Sequence, residues 1–218
     1  MIISNFLNNH NSRWMSIELA ANSPTEQNIS LMKKTNKIIL STRQLKFISK
    51  TIINKEKCKL LVFGVGNDSG YWHKLNRHGV TVFLEDNEKW IEKVKKRHKS
   101  IKVYKVDYKT KRKDWKELLD SPDLEKIKLP DKVVNKKWDV ILVDAPEGWS
   151  DNKPGRMKSI FLSSKLVKIS GDVFVHDCNR QVEDIYSNKF LKKRNLKIEI
   201  KSFFGNLRHY QINRTLYG

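Results

Sequence analysis

Glu85, Asp107, Asp144 and Asp177 each stand at or just past the end of an apolar run, in VTVFLE, IKVYKVD, WDVILVD and DVFVHD. Carboxylates gathered at one edge of a sheet repel each other and lose hydration unless ligands or a metal compensate, so such a set suits a binding site. A second signal precedes them. The stretch KLLVFGVGND turns at Gly64 and Gly66 after the apolar run Leu60 to Phe63, with Asn67 and Asp68 next in the chain. A glycine turn after one strand and an acid at the end of the next is the layout of a nucleoside site, in which Glu85 would accept ribose hydroxyls. The dinucleotide pattern needs a third glycine where Ser69 stands, which disfavours the pyrophosphate-binding version. A cofactor without phosphates fits better, although NAD and S-adenosylmethionine both stay open on these residues.

Farther along, Asp144 after one strand and Asp177 with Asn179 after the next make an oxygen-ligand set for a hard divalent cation. This arrangement is similar to that of the catechol-type O-methyltransferases, where Mg²⁺ holds the acceptor hydroxyl in line with a sulfonium methyl group. The neighbouring His176 could instead act as general base. Asp177 precedes a helix, so a capping role competes with the ligand role.

The elements that must position these residues follow from apolar patterning. Ser41 or Thr42 opens a helix to about Ile53, with Leu45, Ile48, Ile52 and Ile53 on one side. Strands are expected at Leu60 to Phe63, Val80 to Leu84, Ile101 to Val106, Lys136 to Asp144 and Asp172 to His176, with two more at Leu196 to Phe203 and Leu207 to Ile212. The first is apolar throughout, as a strand buried on both faces must be, and the third alternates with lysine, as an edge strand does. Helices are expected from Tyr71 to Leu75 with Asp68 and Ser69 as caps, from Asn87 to His98, around Trp115 to Leu119, from Met157 to Val167 and from Gln181 to Lys193. The connection APEGWSDNKPGRM, after a central strand and rich in Gly, Pro and charge, is long enough to carry function. Strands alternating with helices and a closing hairpin give an α/β sandwich on a mostly parallel, seven-stranded sheet with an antiparallel last strand.

The chain of 218 residues is long enough for one domain with a substantial core, here read as residues 41–218, preceded by a lead-in of residues 1–40 that is either an arm or packed. Net charge of +20 points to a polyanionic partner or to coding bias, since the lysines are scattered among many Asn and Ile residues. Cys58 and Cys178 have no paired spacing, which excludes a disulfide framework or a zinc site built on them. No run is long and apolar enough for a leader or membrane segment, so the expected setting is cytoplasmic.

The motifs FGVGNDSGYW, TVFLEDNEKW, WDVILVDAPEGWSDNKPGRM, DVFVHDCNRQVEDIYSNKFL and NLRHYQI together resemble the plant glucuronoxylan 4-O-methyltransferase family, which also contains the irregular-xylem polysaccharide-biosynthesis proteins. The resemblance runs from about Leu40 to Ile212. It implies a Rossmann-like class I methyltransferase fold, S-adenosylmethionine as cofactor, a uronic-acid-bearing glycan as acceptor and help from a divalent metal such as Mg, Mn or Co. Carried over by position, it implies that Gly64, Gly66, Asn67 and Asp68 form the cofactor loop and Glu85 the ribose contact. Asp144, Pro154 to Met157, His176 and Asp177 would belong to the acceptor side. Asp107 is the candidate for the adenine amino group, and the planar fork of Arg156 suits an acceptor carboxylate. The plant loop has His where this chain has Asn67, and the plant proteins carry a Golgi membrane anchor.

The expected function is therefore methyl transfer from S-adenosylmethionine to a sugar hydroxyl, with Asp144, Asp177 and Asn179 holding metal. Two rivals differ in class. A nucleic-acid methyltransferase would use the positive charge and exposed aromatics such as Trp149 and Tyr71. A non-catalytic scaffold would bind glycan without turnover.

Overall fold

The computed structural model describes residues 10–213. It is built on a seven-stranded sheet in the order β3-β2-β1-β4-β5-β7-β6. Strands β1 (Lys59–Phe63), β2 (Val80–Glu85), β3 (Lys102–Lys105), β4 (Trp138–Val143) and β5 (Val167–Val175) run parallel, while β7 (Leu207–Gln211) is antiparallel to β5 and to β6 (Leu196–Ile200). The order reverses between β1 and β4, and a crevice opens there beyond the strand ends, where open α/β sheets bind ligands.

Strand β1 shows why its sequence lacks polar alternation. Leu60 and Val62 face one helical layer, Leu61 and Phe63 the other, and all are buried. Fully burying each such side chain contributes roughly 1.5–3 kcal/mol. The first layer comprises α1 (His10–Asn22), α2 (Glu26–Asn36), α3 (Thr42–Ile53), α4 (Ser69–Leu75) and α5 (Glu88–Arg97). The second is built around α8 (Met157–Leu166) and α9 (Gln181–Ser187), with the short turns α6 (Trp115–Leu118) and α7 (Asp131–Val134) beside them.

Residues 10–36 are helical and lay Ile17, Ala20, Ile29 and Met32 into the same core as Leu60 and Val62, while residues 1–9 of the lead-in lie outside the described residues. Helix α3 starts with a capping box. Ser41 Oγ accepts from Gln44 N at 3.3 Å, and Gln44 Oε1 accepts from Ser41 N at 2.9 Å. The buried Gln44 amide then donates to Ile200 O at 3.2 Å and Gly205 O at 2.8 Å, fastening the β6–β7 hairpin over the strand ends.

Several expected boundaries shift. Ile53 is 49% exposed at the end of α3, outside the apolar stripe of Leu45, Ile48 and Ile52. Strand β5 begins at Val167, with a register irregularity opposite β4 that brings Val167 against Trp138 before regular pairing resumes at Asp172. The helix expected to reach Lys193 closes at Ser187 and continues as a wider π turn, Asn188–Lys192, and a short 3₁₀ turn, Lys193–Asn195. Among the described residues no helix is long and apolar enough to cross a membrane.

Candidate active site

A cleft of about 490 Å³ lies at the switch point, lined at its base by Glu85, Asp86, Asp144, Arg156, His176 and Asp177. Its rim carries Ile39, Trp90, Trp149 and Phe204. A neighbouring hollow of about 730 Å³ also touches Asp86 and Pro154 and contains Asp107, Tyr108, Lys109 and Lys111.

The glycine turn has a steric reason. Gly64 has φ +115°, and a Cβ there would stand 2.8 Å from the Ala145 Cβ at the end of β4. Glu85 secures the turn from the side, because its Oε2 accepts from Val65 N at 2.8 Å. Its Oε1 accepts from Asp86 N at 3.1 Å and Asn87 N at 2.8 Å. A carboxylate has about four lone-pair sites, so one remains for a ligand hydroxyl. Burial pushes the Glu85 carboxyl up to about 7, against the backbone bonds that lower it, and burial also raises the adjacent Asp86.

Asp68 does not cap α4. Its Oδ2 accepts from Trp72 Nε1 at 2.8 Å, while Ser69 Oγ accepts from Gly66 N at 2.8 Å. Burial first, and the charge of Asp144 second, push Asp68 up to about 6. Asn67 points away from the cleft, donating to Lys37 O at 3.4 Å and accepting from Arg97 Nη1 at 3.3 Å. Asp107 sits in the neighbouring hollow, where its Oδ1 accepts from Lys109 N at 3.1 Å.

The acceptor-side residues form one charged cluster. His176 Nδ1 lies 2.9 Å from Asp144 Oδ1 and 3.7 Å from Asp177 Oδ1. Asp177 is held at φ +64°, an uncommon backbone state for a residue with a Cβ, which turns its carboxylate back under the cleft. Burial would raise Asp144, but His176 and Arg156 outweigh it and hold the carboxyl below its ordinary value. With 31% of its side chain exposed, Asp144 is the most open member of the cluster. The other ring nitrogen of His176, Nε2, is buried against Gly205 without a hydrogen-bond partner among the described residues, and a Cβ on Gly205 would lie 3.0 Å away.

Arg156 corrects one expectation. Its side chain is 5% exposed, and it donates to Pro146 O at 3.3 Å, His176 O at 2.8 Å and Asp144 O at 2.8 Å. Its Nη2 also pairs with Asp177 Oδ2 at 2.8 Å and Asp144 Oδ1 at 3.3 Å. A guanidinium has five donors, and these acceptors consume the fork, so Arg156 staples the loop after β4 instead of facing an acceptor. The 109–114 segment pins the same loop from outside, with Arg112 N donating to Lys153 O at 2.7 Å and Thr110 Oγ1 to Pro154 O at 2.9 Å.

The residues expected to hold a cation have internal partners as well. Asn179 Oδ1 accepts from Asn206 N at 3.0 Å, which ties it to the hairpin loop. Asp144, His176 and Asp177 do bring one ligand atom each within 4.8 Å of one another. However, Arg156 bridges the two carboxylates, and Arg180 Nη1 adds a second contact to Asp177 Oδ2 at 3.1 Å. Two guanidinium charges already balance two carboxylates, and their protons occupy one oxygen of each, Asp144 Oδ1 and Asp177 Oδ2. With Arg156 in this position a hard divalent cation would compete with the guanidinium for the same two carboxylates.

Asp86, Trp90, Arg180 and Phe204 line the cleft without having been expected there. Only Asp86 had a local signal, as a second carboxylate at the end of β2.

A family model described as IRX15/IRX15L/GXM matches residues 43–127 and 121–210. The chain belongs to this family. In the IRX15/IRX15L/GXM family it is 39% identical over 195 residues to glucuronoxylan 4-O-methyltransferase 2 of Arabidopsis thaliana, covering 78% of this chain and 66% of that one. It is 37% identical over 180 residues to arabinogalactan O-methyltransferase 2 of the same plant, covering 71% and 60%. The chain thus spans about two thirds or less of the length of these two relatives. Among solved structures, the O-methyltransferase TomG from Streptomyces achromogenes, in complex with SAM, superposes with a TM-score of 0.53 at 14% identity over 80% of this chain and 81% of that chain. The strand order and the antiparallel β7 make this a Rossmann-like class I methyltransferase fold, shared with that O-methyltransferase.

Proposed function

We propose that this member of the IRX15/IRX15L/GXM family transfers a methyl group from S-adenosylmethionine to a sugar hydroxyl of a glucuronic-acid-bearing glycan. The observation that carries the reading is the partly exposed Asp144, held by His176 and Arg156 at the base of a cleft that opens beside the glycine turn. Family membership and the acceptors named for the relatives support it.

The cofactor's ribose hydroxyls would donate to Glu85 and Asp86, and its adenine would enter the hollow beside Asp107. S-adenosylmethionine would supply an electrophilic methyl group, and Asp144 is the cleft carboxylate that would take the acceptor's proton. As the acceptor oxygen bonds to the methyl carbon and the carbon–sulfur bond breaks, that oxygen turns into an oxonium, whose acidity rises steeply. Even a carboxylate of depressed pKa then takes the proton, late in the reaction. His176 serves as a positioning residue, since its Nδ1 faces Asp144 and its Nε2 faces the buried Gly205. Positioning supplies the remainder, because transfer from sulfur to oxygen needs in-line approach at close contact.

The test offers labelled S-adenosylmethionine together with glucuronoxylan, arabinogalactan and total RNA. Label is expected on a glycan. Label on RNA alone would make the positive charge the better guide and overturn the reading.

A further inference from the structure

With Arg156 consumed inside the protein, a different group must recognise an acidic acceptor. We propose that Arg180 binds the acceptor carboxylate, with Trp149 and Phe204 stacking against the sugar rings beside it; this rests on the glycan reading above. Arg180 lines the cleft with 32% of its side chain exposed. It is anchored from behind through Nη1, at 3.1 Å from Asp177 Oδ2 and 4.0 Å from the fully buried Glu183 Oε1. Nε and Nη2 have no acceptor among the described residues, which leaves a planar donor edge of the kind that takes a carboxylate bidentately.

The aromatic groups stand on opposite supports at the rim. Trp149, 64% exposed, rides the loop stapled by Arg156, and Phe204, 58% exposed, rides the hairpin loop held by Gln44 and Asn179. Both loops are fixed by buried polar contacts, yet their tips hold large apolar faces in water. Sugar rings present C–H faces of partial positive charge to such rings. Lysines accompany both platforms, with Lys153 Nζ 5.1 Å from the Trp149 ring centre and Lys33 Nζ 6.0 Å from that of Phe204. A polyanionic chain crossing the rim would therefore meet matching charge, in a protein of net charge +20.

The experiment compares glucuronoxylan with the same polymer after its uronic carboxyls are reduced to neutral alcohols, for wild type, Arg180→Lys and Trp149→Ala. Wild type is expected to prefer the acidic polymer by about tenfold or more in kcat/KM, the scale of a site built to pair a charged group. Arg180→Lys, which keeps the charge but loses the planar fork, should bring that ratio close to one. Trp149→Ala should raise KM for both polymers. A ratio in Arg180→Lys equal to that of wild type overturns the assignment, as does equal use of the two polymers by wild type. If wild type labels neither polymer, the glycan reading itself fails, which is a different outcome. A second measurement needs no variant. Phenylglyoxal labelling of Arg180 in the wild-type protein, mapped by mass spectrometry, should be slowed by acidic xylo-oligosaccharides and not by neutral ones; equal protection by both would contradict the proposal.

Discussion

His176 Nδ1 lies 2.9 Å from Asp144 Oδ1, joining the ends of β5 and β4 in one acid–base pair. The pair explains how a carboxylate at the base of a cleft stays ionised in spite of burial. It also assigns unequal roles, because 31% of the Asp144 side chain is exposed and only 3% of the His176 side chain.

That inequality has a pH signature. Asp144 must be ionised to take a proton, so activity is present above its pKa and lost as pH falls through it. With the carboxyl held below its ordinary value of 3.8, kcat in the wild type should show no acid limb from Asp144 at pH values above that. His176→Gln removes the leading favourable charge, and the limb should move up toward the ordinary carboxylate range. A kcat profile identical to that of wild type would contradict the positioning role.

Arg156 is expected to matter for stability and for cation exclusion together. Arg156→Ala leaves Asp144 and Asp177 buried without their bridging charge, a loss of about 3–5 kcal/mol when one partner of a buried pair is removed. Thermal unfolding should show a large drop in midpoint. Mn²⁺ titration followed by paramagnetic relaxation should detect no tight binding to wild type at this cluster and a gain of affinity in folded Arg156→Ala. Tight binding of Mn²⁺ to wild type, lost on Asp177→Asn, would show that the guanidinium gives way to metal.

Glu85 predicts a pH dependence in binding instead of turnover. Below its value of about 7 the carboxyl is neutral, and above it the ionised group would accept ribose hydroxyls and attract the sulfonium charge. Cofactor affinity measured by calorimetry should rise as pH increases from about 6 to about 8, and Glu85→Gln should flatten the curve. A flat wild-type curve would separate Glu85 from the cofactor.

Much of the fold was legible because it rests on local patterning. The unbroken apolar run Leu60 to Phe63 can sit only between two layers, and Ser41 with Gln44 marks a helix start. The carboxylates at strand ends likewise named Glu85, Asp144 and Asp177. What stayed hidden depends on segments remote in sequence. Arg156 reads as a loop cation, and only the convergence of β4, β5 and their loops shows that its donors are spent on Pro146, His176, Asp144 and Asp177. Asn179 reads as a ligand until the hairpin places Asn206 N against it. Arg180 and Phe204 reach the rim from elements that follow β5, for which the sequence carries no spacing signal. Helix α1 was hidden for a different reason. It packs through the small residues Ala20 and Ala21 as well as Ile17, and exposes Met15 and Leu19, so no apolar stripe marks it.

The most direct test is Asp144→Asn beside wild type, read by cofactor affinity and by transfer of labelled methyl to glucuronoxylan in the same preparation. Transfer should fall by about 100-fold or more, the scale of a lost general base, while cofactor affinity stays within a few fold. Wild-type transfer by Asp144→Asn, or loss of cofactor binding with the fold intact, would contradict the assignment of this cleft.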